Sequence, residues 1–76
     1  MHSSWVSINP AKKRFRYYAI SLANDLFDEF VVTCEWGRIG AKRLHCKVMT
    51  FDSSATANAY IEQVIATRLK HQYIPA

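Results

Sequence analysis

This 76-residue chain has little of what marks several protein classes, with only two cysteines, two glycines and two prolines. Two cysteines cannot build the multi-bridge framework of a disulfide-dense secreted scaffold. The polar residues 1–4 do not lead from a basic segment into an apolar run, so we expect no signal peptide. No apolar stretch approaches the roughly 20 residues that span a bilayer. These absences predict a soluble, cytoplasmic protein.

Residues suited to catalysis or metal binding are also sparse. The histidines His2, His45 and His71 are scattered, and no nucleophile–base pairing or glycine-rich phosphate loop accompanies them. Neither a Cys-x-x-Cys nor a paired-His spacing occurs, so we expect no zinc or other metal and no cofactor. The sequence therefore predicts a protein that is not an enzyme.

Positive charge exceeds negative charge, with ten Lys+Arg against six Asp+Glu. Such a balance favours phosphate-bearing partners or anionic membranes, but no basic amphipathic helix with exposed bulky apolar residues is evident, so we expect no membrane partner. The basic residues form two groups, and only the fold decides whether these meet. The groups are Lys12, Lys13, Arg14 and Arg16, of which the first three are interpreted as a flexible arm, and Arg38, Lys42, Arg43 and Lys47.

Hydrophobic patterning predicts an α+β domain, a twisted antiparallel sheet of three to four strands with one C-terminal helix packed on one face. Strands are expected at 15–22, 30–36 and 44–51, and a helix at about 54–71 with its N-cap among residues 52–54. The expected apolar stripe of the helix is Ala57, Ile61, Val64, Ile65 and Leu69. Residues 1–13 form a lead-in with a short edge strand at 5–8, and residues 14–74 form the domain.

A strand register follows from folding the second and third strands symmetrically about Gly40. This register pairs Trp36 with Leu44, Cys34 with Cys46, and Val32 with Val48 on one face, and leaves Lys47 on the wetter face. We therefore expect Cys34 and Cys46 to be adjacent, reduced core thiols. Alternation also places Tyr18, Ile20 and Leu22 on the face of Val32 and Cys34.

A second sheet face, with Phe15 and Tyr17, cannot be covered by the same helix. Either the N-terminal segment with Trp5 and Ile8 folds over it, or it is a surface for a partner protein. We favour self-cover, because so small a chain has few apolar anchors to spare.

The most informative segment is Trp36-Gly37-Arg38-Ile39-Gly40. A flat ring beside a cation and bare backbone suits a nucleic-acid end, where a base or sugar stacks and the guanidinium takes a phosphate. The alternative is a turn with a core Trp36, and an Arg38 that is solvated or paired with Glu35. Gly37 and Gly40 relieve backbone crowding or supply positive φ.

Residues 14–73 resemble a WGR domain, the module best known inside poly(ADP-ribose) polymerases. The matching segments are Phe15-Arg16-Tyr17-Tyr18, Asp25-Leu26-Phe27, residues 35–40, Phe51 before an alanine-rich helix, and Tyr73. The resemblance implies that Trp36 lies near a bound DNA end. It also implies a free-standing copy, of the kind bacteria encode, without ADP-ribose transfer. Glycines usual in the family are missing at Asp28, within Ala41-Lys42-Arg43, and at Gln72.

The sequence and the resemblance together predict a DNA-binding module without sequence preference. Its expected nucleic-acid-binding residues are Trp36, Gly37, Arg38, Lys42, Arg43 and Lys47. The alternative is a protein-interaction module that docks a nucleic-acid enzyme or regulator through Phe15 and Tyr17.

Overall fold

The structure, a computed structural model that describes residues 1–24 and 29–76, has five strands and one α-helix in those residues. The strands are β1 (His2–Asn9), β2 (Arg14–Asn24), β3 (Phe30–Arg38), β4 (His45–Phe51) and β5 (Ile74–Pro75), and the helix is α1 (Ser54–Lys70). They form one antiparallel sheet in the order β4-β3-β2-β1-β5. The α+β class is confirmed, with five strands instead of three to four. Asp25-Leu26-Phe27 and Asp28 lie outside the described residues.

The N-terminal segment is an inner strand of the sheet. β1 pairs with β2 along its whole length, from His2 opposite Ser21 to Asn9 opposite Arg14, and β5 pairs with its other edge. The expectation that this segment covers the second sheet face was wrong, because its backbone groups are satisfied within the sheet plane. Alternation buries Trp5 under α1 and leaves Ile8 54% exposed on the opposite side.

The helix α1 covers one side of the sheet, which we call the helix face. Ser53 is the N-cap, and its Oγ accepts the Thr56 N–H at 3.2 Å. Ala57 and Ile61 are buried, whereas Leu69 is 55% exposed and lies outside the core. The core residues are Trp5, Tyr18, Ile20, Val32, Cys34, Ala57, Ile61 and Tyr73.

The register of the first hairpin agrees with the sequence analysis, since Ile20 lies opposite Cys34 and Leu22 opposite Val32. The register of the next hairpin is shifted by one residue from the predicted one. Trp36 pairs with His45, Cys34 with Lys47, and Val32 with Met49.

The shift arises because β3 runs past Trp36, which places Gly37 and Arg38 opposite Tyr17 and Arg16 of β2. The connection to β4 then turns at Gly40, where φ is +84°. This asymmetric loop, residues 39–44, moves the hairpin centre away from Gly40.

The shifted register separates the two cysteines, which are both free thiols. Cys34 is buried on the helix face, and Cys46 is exposed on the opposite face. The expected facing pair was therefore wrong. Lys47 also changes sides, and lies on the helix face opposite Cys34.

The other side of the sheet, the open face, includes Val6, Ile8, Phe15, Tyr17 and Val48. The loop 39–44 covers part of it, and the Ile39 N–H donates to the Phe15 carbonyl at 2.8 Å. A hollow of about 210 Å³ remains between this loop and the strands, lined by Val6, Tyr17, Arg38, Ile39, Gly40, Ala41 and Leu44. Within the described residues, no helix has both the length and the apolarity to cross a membrane.

Candidate nucleic-acid interface

A row of four rings crosses the helix face where β2 begins and β3 ends. The cross-strand pairs Trp5–Tyr18, Tyr18–Trp36 and Trp36–His45 place one ring on each of four neighbouring strands. Ring centroids are 6.4, 6.1 and 5.7 Å apart in that order. Trp36 is half-buried and nearly parallel to both neighbours, at 20° to Tyr18 and 22° to His45. It therefore packs against the core with part of its surface and contacts solvent with the rest.

The next same-face positions on β2 and β3 are basic. Arg16 lies directly opposite Arg38, and Arg14 precedes Arg16 on the same face. Like charges at opposed positions of a strand pair destabilise the sheet. An anion bound between these guanidinium groups would offset that repulsion. This pairing is therefore an energetic reason to expect a phosphate here.

These rows line a cavity of about 730 Å³, which we call the basic groove. Its lining is Lys12, Lys13, Arg14, Phe15, Arg16, Trp36, Gly37, Arg38, His45, Arg68 and Tyr73. The six Lys and Arg residues come from the turn after β1, from β2, from β3 and from α1. Among the described residues that line the groove, none is an Asp or Glu.

Arg68 of α1 forms one wall of the groove. Its guanidinium carbon lies 4.5 Å from the Tyr18 ring centroid and 5.2 Å from that of Tyr73. Its Nε is buried and has no hydrogen-bond partner among the described residues. Two cation–π contacts thus restrain a guanidinium that lines a polar cavity.

Arg68 was not among the nucleic-acid-binding residues predicted from the sequence. A signal was present, because Arg68 follows Ile61 by seven residues and Val64 by four. It therefore takes the next place on the buried stripe, where an arginine is unusual.

The ring beneath Arg68 is kept uncharged. Burial, followed by the hydrogen bond and charge interaction with the Cys34 thiol, raises the pKa of Tyr18 above its usual range, and Arg68 opposes this shift. The phenol remains protonated at neutral pH, so it adds no negative charge beside the groove.

The predicted site residues are only partly brought together. Trp36, Gly37 and Arg38 line the groove, whereas Lys42 and Arg43 lie in loop 39–44 and outside it. Lys47 is exposed on β4, two residues beyond His45 on the same face, and does not line the groove either.

The first basic group lines the groove, although it was not among the predicted site residues. Lys12 belongs to a 3₁₀ turn, Pro10–Lys12, and Lys13 follows it with φ of +52°. Arg14 is already the first residue of β2, so these residues form a turn and a strand start instead of a flexible arm. These residues reach the groove because β1 pairs with β2, and that pairing was not predicted from the sequence. In the described part of the chain, no three His, Cys, Asp or Glu side chains converge as a metal site would require.

The fold and this groove define a small α+β module with a basic cavity that has an aromatic floor. A family model of the WGR domain matches residues 3–76, essentially the whole chain, and the chain belongs to this family. WGR domains are non-catalytic modules that generally bind nucleic acids. No curated protein and no solved structure gives a significant match to the chain.

Proposed function

We propose that the basic groove binds DNA without reading its sequence, in the cytoplasm. The observation that carries this proposal is the opposed pair Arg16 and Arg38, with the half-buried Trp36 beside it. A phosphate between the two guanidinium groups relieves their repulsion, and a base or sugar at a strand end stacks on the accessible part of Trp36. Cations that contact phosphate and rings that stack on any base supply affinity without sequence discrimination.

The remaining predicted residues have secondary parts in this proposal. Lys42, Arg43 and Lys47 lie outside the groove and add attraction over a Debye length of about 10 Å at 0.1 M salt. Gly37 contributes bare backbone at the groove floor. Direct phosphate contacts come from the guanidinium groups of Arg16, Arg38 and Arg68.

The salt dependence of binding tests this division of roles. With three guanidinium groups in direct contact, the slope of log K against log salt should be about −3 for duplex DNA, at about −0.9 per phosphate. If all six groove cations neutralise phosphates, the slope approaches about −5. The double variant Arg16→Ala/Arg38→Ala should lower the magnitude of that slope by about 2. The matched control Lys42→Ala/Arg43→Ala removes the same charge outside the groove, and should change the slope much less.

Fluorescence anisotropy with blunt duplex, nicked duplex and single strand at several salt concentrations supplies the measurement. Equal slopes for the two double variants would mean that net charge, and not the groove, governs binding. Absence of binding by the wild-type chain at low salt would overturn the proposal.

A second candidate function is docking of a protein through the open face. It is favoured by the exposure of Ile8, at 54%, and of Val48, at 59%, on the side that also carries Phe15 and Tyr17. If the wild-type chain does not bind DNA, this candidate takes first place. A pull-down compared between the wild type and an Ile8→Ser/Val48→Ser variant would then test it.

A further inference from the structure

A second basic cavity, of about 370 Å³, adjoins the groove and is called here the rear cleft. Its lining is Ser7, Lys12, Arg14, Arg16, Arg68, Lys70, His71, Gln72 and Tyr73. We propose that the rear cleft binds the sugar–phosphate backbone of the strand whose end lies in the basic groove. The proposal rests on the proposed function and extends it to a defined track for the bound strand.

The two cavities share a wall around Arg68. They share Lys12, Arg14, Arg16, Arg68 and Tyr73, so a backbone leaving the groove stays beside cations as it enters the rear cleft. The rear cleft adds one new cation, Lys70, and a histidine, His71. None of its described lining residues is an Asp or Glu.

The rear cleft lacks the aromatic platform that distinguishes the groove. Trp36 and His45 do not line it. Its one ring besides His71, that of Tyr73, is buried and packs edge-on against Tyr18, with centroids 6.4 Å apart and planes at 77°. With no large exposed ring to stack on, the cleft suits phosphate and sugar, while the groove suits a base.

The C-terminus of α1 borders the rear cleft, and unpaired helix carbonyls there would repel an anion. Three of these carbonyls accept hydrogen bonds. The carbonyls of Thr67, Arg68 and Leu69 accept the N–H groups of His71, Tyr73 and Gln72 at 3.1, 3.0 and 3.2 Å. Lys70 in the last helical turn further offsets the dipole, so the electrostatic character of the cleft is set by its cations.

Gln72 positions the Arg14 side chain in this site. It adopts φ of +66°, a conformation that favours glycine, and glycine is what the resemblance to other WGR domains leads one to expect there. Its Oε1 accepts a hydrogen bond from Arg14 Nη1 at 3.4 Å. A glycine at 72 would ease the backbone but lose this contact, which holds Arg14 where both cavities use it.

Oligothymidylates of increasing length, measured by fluorescence anisotropy at 0.1 M salt, test the rear cleft. Each phosphate contact to a single strand contributes about −0.7 to the slope of log K against log salt. At 0.1 M salt, relative to about 1 M, the loss of one contact should therefore weaken binding about fivefold. Lys70→Ala should therefore weaken a long oligomer about fivefold and leave a dinucleotide unaffected. Lys47→Ala removes an exposed cation outside both cavities and so loses only long-range attraction; it should weaken binding of the long oligomer by much less than fivefold.

Gln72→Gly separates positioning from stability. Its melting temperature should stay close to that of the wild type, because eased backbone strain offsets the flexibility of glycine, while its affinity for the long oligomer falls. Wild-type affinity of both Lys70→Ala and Gln72→Gly for the long oligomer, with binding still lost in Arg16→Ala/Arg38→Ala, would overturn the rear cleft alone. Absence of binding by the wild type to any oligomer would overturn the rear cleft together with the proposed function.

Discussion

Replacement of Trp36 by alanine tests whether the indole is part of both the core and the binding site. Full truncation of a buried Trp costs about 3–5 kcal/mol. Trp36 is half-buried, so we expect roughly 2 kcal/mol from packing, with up to about 2 more from the lost ring pairs with Tyr18 and His45. A 76-residue chain has an unfolding free energy of about 4–11 kcal/mol, so most of this range leaves the variant folded.

The expected loss corresponds to a fall in melting temperature of roughly 8–32 °C, at about 4–8 °C per kcal/mol. Trp36→Phe keeps a ring between Tyr18 and His45, so its melting temperature should fall much less. Thermal melts followed by circular dichroism measure both variants, and Val48→Ala, at a position 59% exposed on the open face, provides the control.

Binding supplies the second part of the same test. Trp36→Phe presents a smaller stacking surface, so it should weaken binding to blunt DNA ends more than binding to closed duplex without ends. A Trp36→Ala variant that melts like the wild type and binds ends equally well would refute both roles, and would leave the tripeptide as a turn element only.

Three further predictions concern stability and reactivity. Alkylation of the native, reduced chain should modify the exposed Cys46 well before the buried Cys34, and equal rates by mass spectrometry would contradict the β3–β4 register. Ser53→Ala removes the acceptor of the Thr56 N–H and should lower the unfolding free energy by about 1 kcal/mol in urea titrations, whereas an unchanged midpoint would show that the cap contributes nothing. Because burial raises the pKa of Tyr18 in the folded state, stability should fall as the pH rises above about 10, where only the unfolded phenol ionises; Tyr18→Phe should reduce that fall, and identical urea midpoints across pH 9–11 would contradict it.

Local patterns predicted the elements with purely local causes. Period-two alternation placed Ile20 and Cys34 on one face, and residues 52–54 marked a helix start that is capped by Ser53. The β3–β4 register could not be obtained in this way. Apolar residues at Cys46 and Val48 make the wrong face of β4 the more hydrophobic one, while the actual register matches rings, His45 with Trp36 and Phe51 with Phe30.

The same distinction between local and long-range causes applies to the residues of the site. Trp36 and Arg38 were found because they share one short motif. Arg16 and Arg68 reach the groove through strand pairing and helix packing between segments distant in sequence, and no local pattern encodes that proximity. The count of basic residues favoured a phosphate-bearing partner, but it could not say which cations converge.

The side-chain position of the middle residue of the Trp-Gly-Arg tripeptide faces the reverse of the sheet from its neighbours, although its backbone lines the groove. Alternation directs Trp36 and Arg38 to the groove, and the space left on the other side at Gly37 is occupied by Leu44, whose Cδ2 would lie 2.8 Å from an added Cβ. The side chains at positions 37 and 44 thus compete for the same space. A larger residue at 37 requires Leu44 to rotate away or to be exchanged for a smaller one, and such a paired exchange would leave the groove chemistry intact. The tripeptide thus joins a chemical requirement on one surface, at Trp36 and Arg38, to a steric requirement on the other, where position 37 must vary together with position 44.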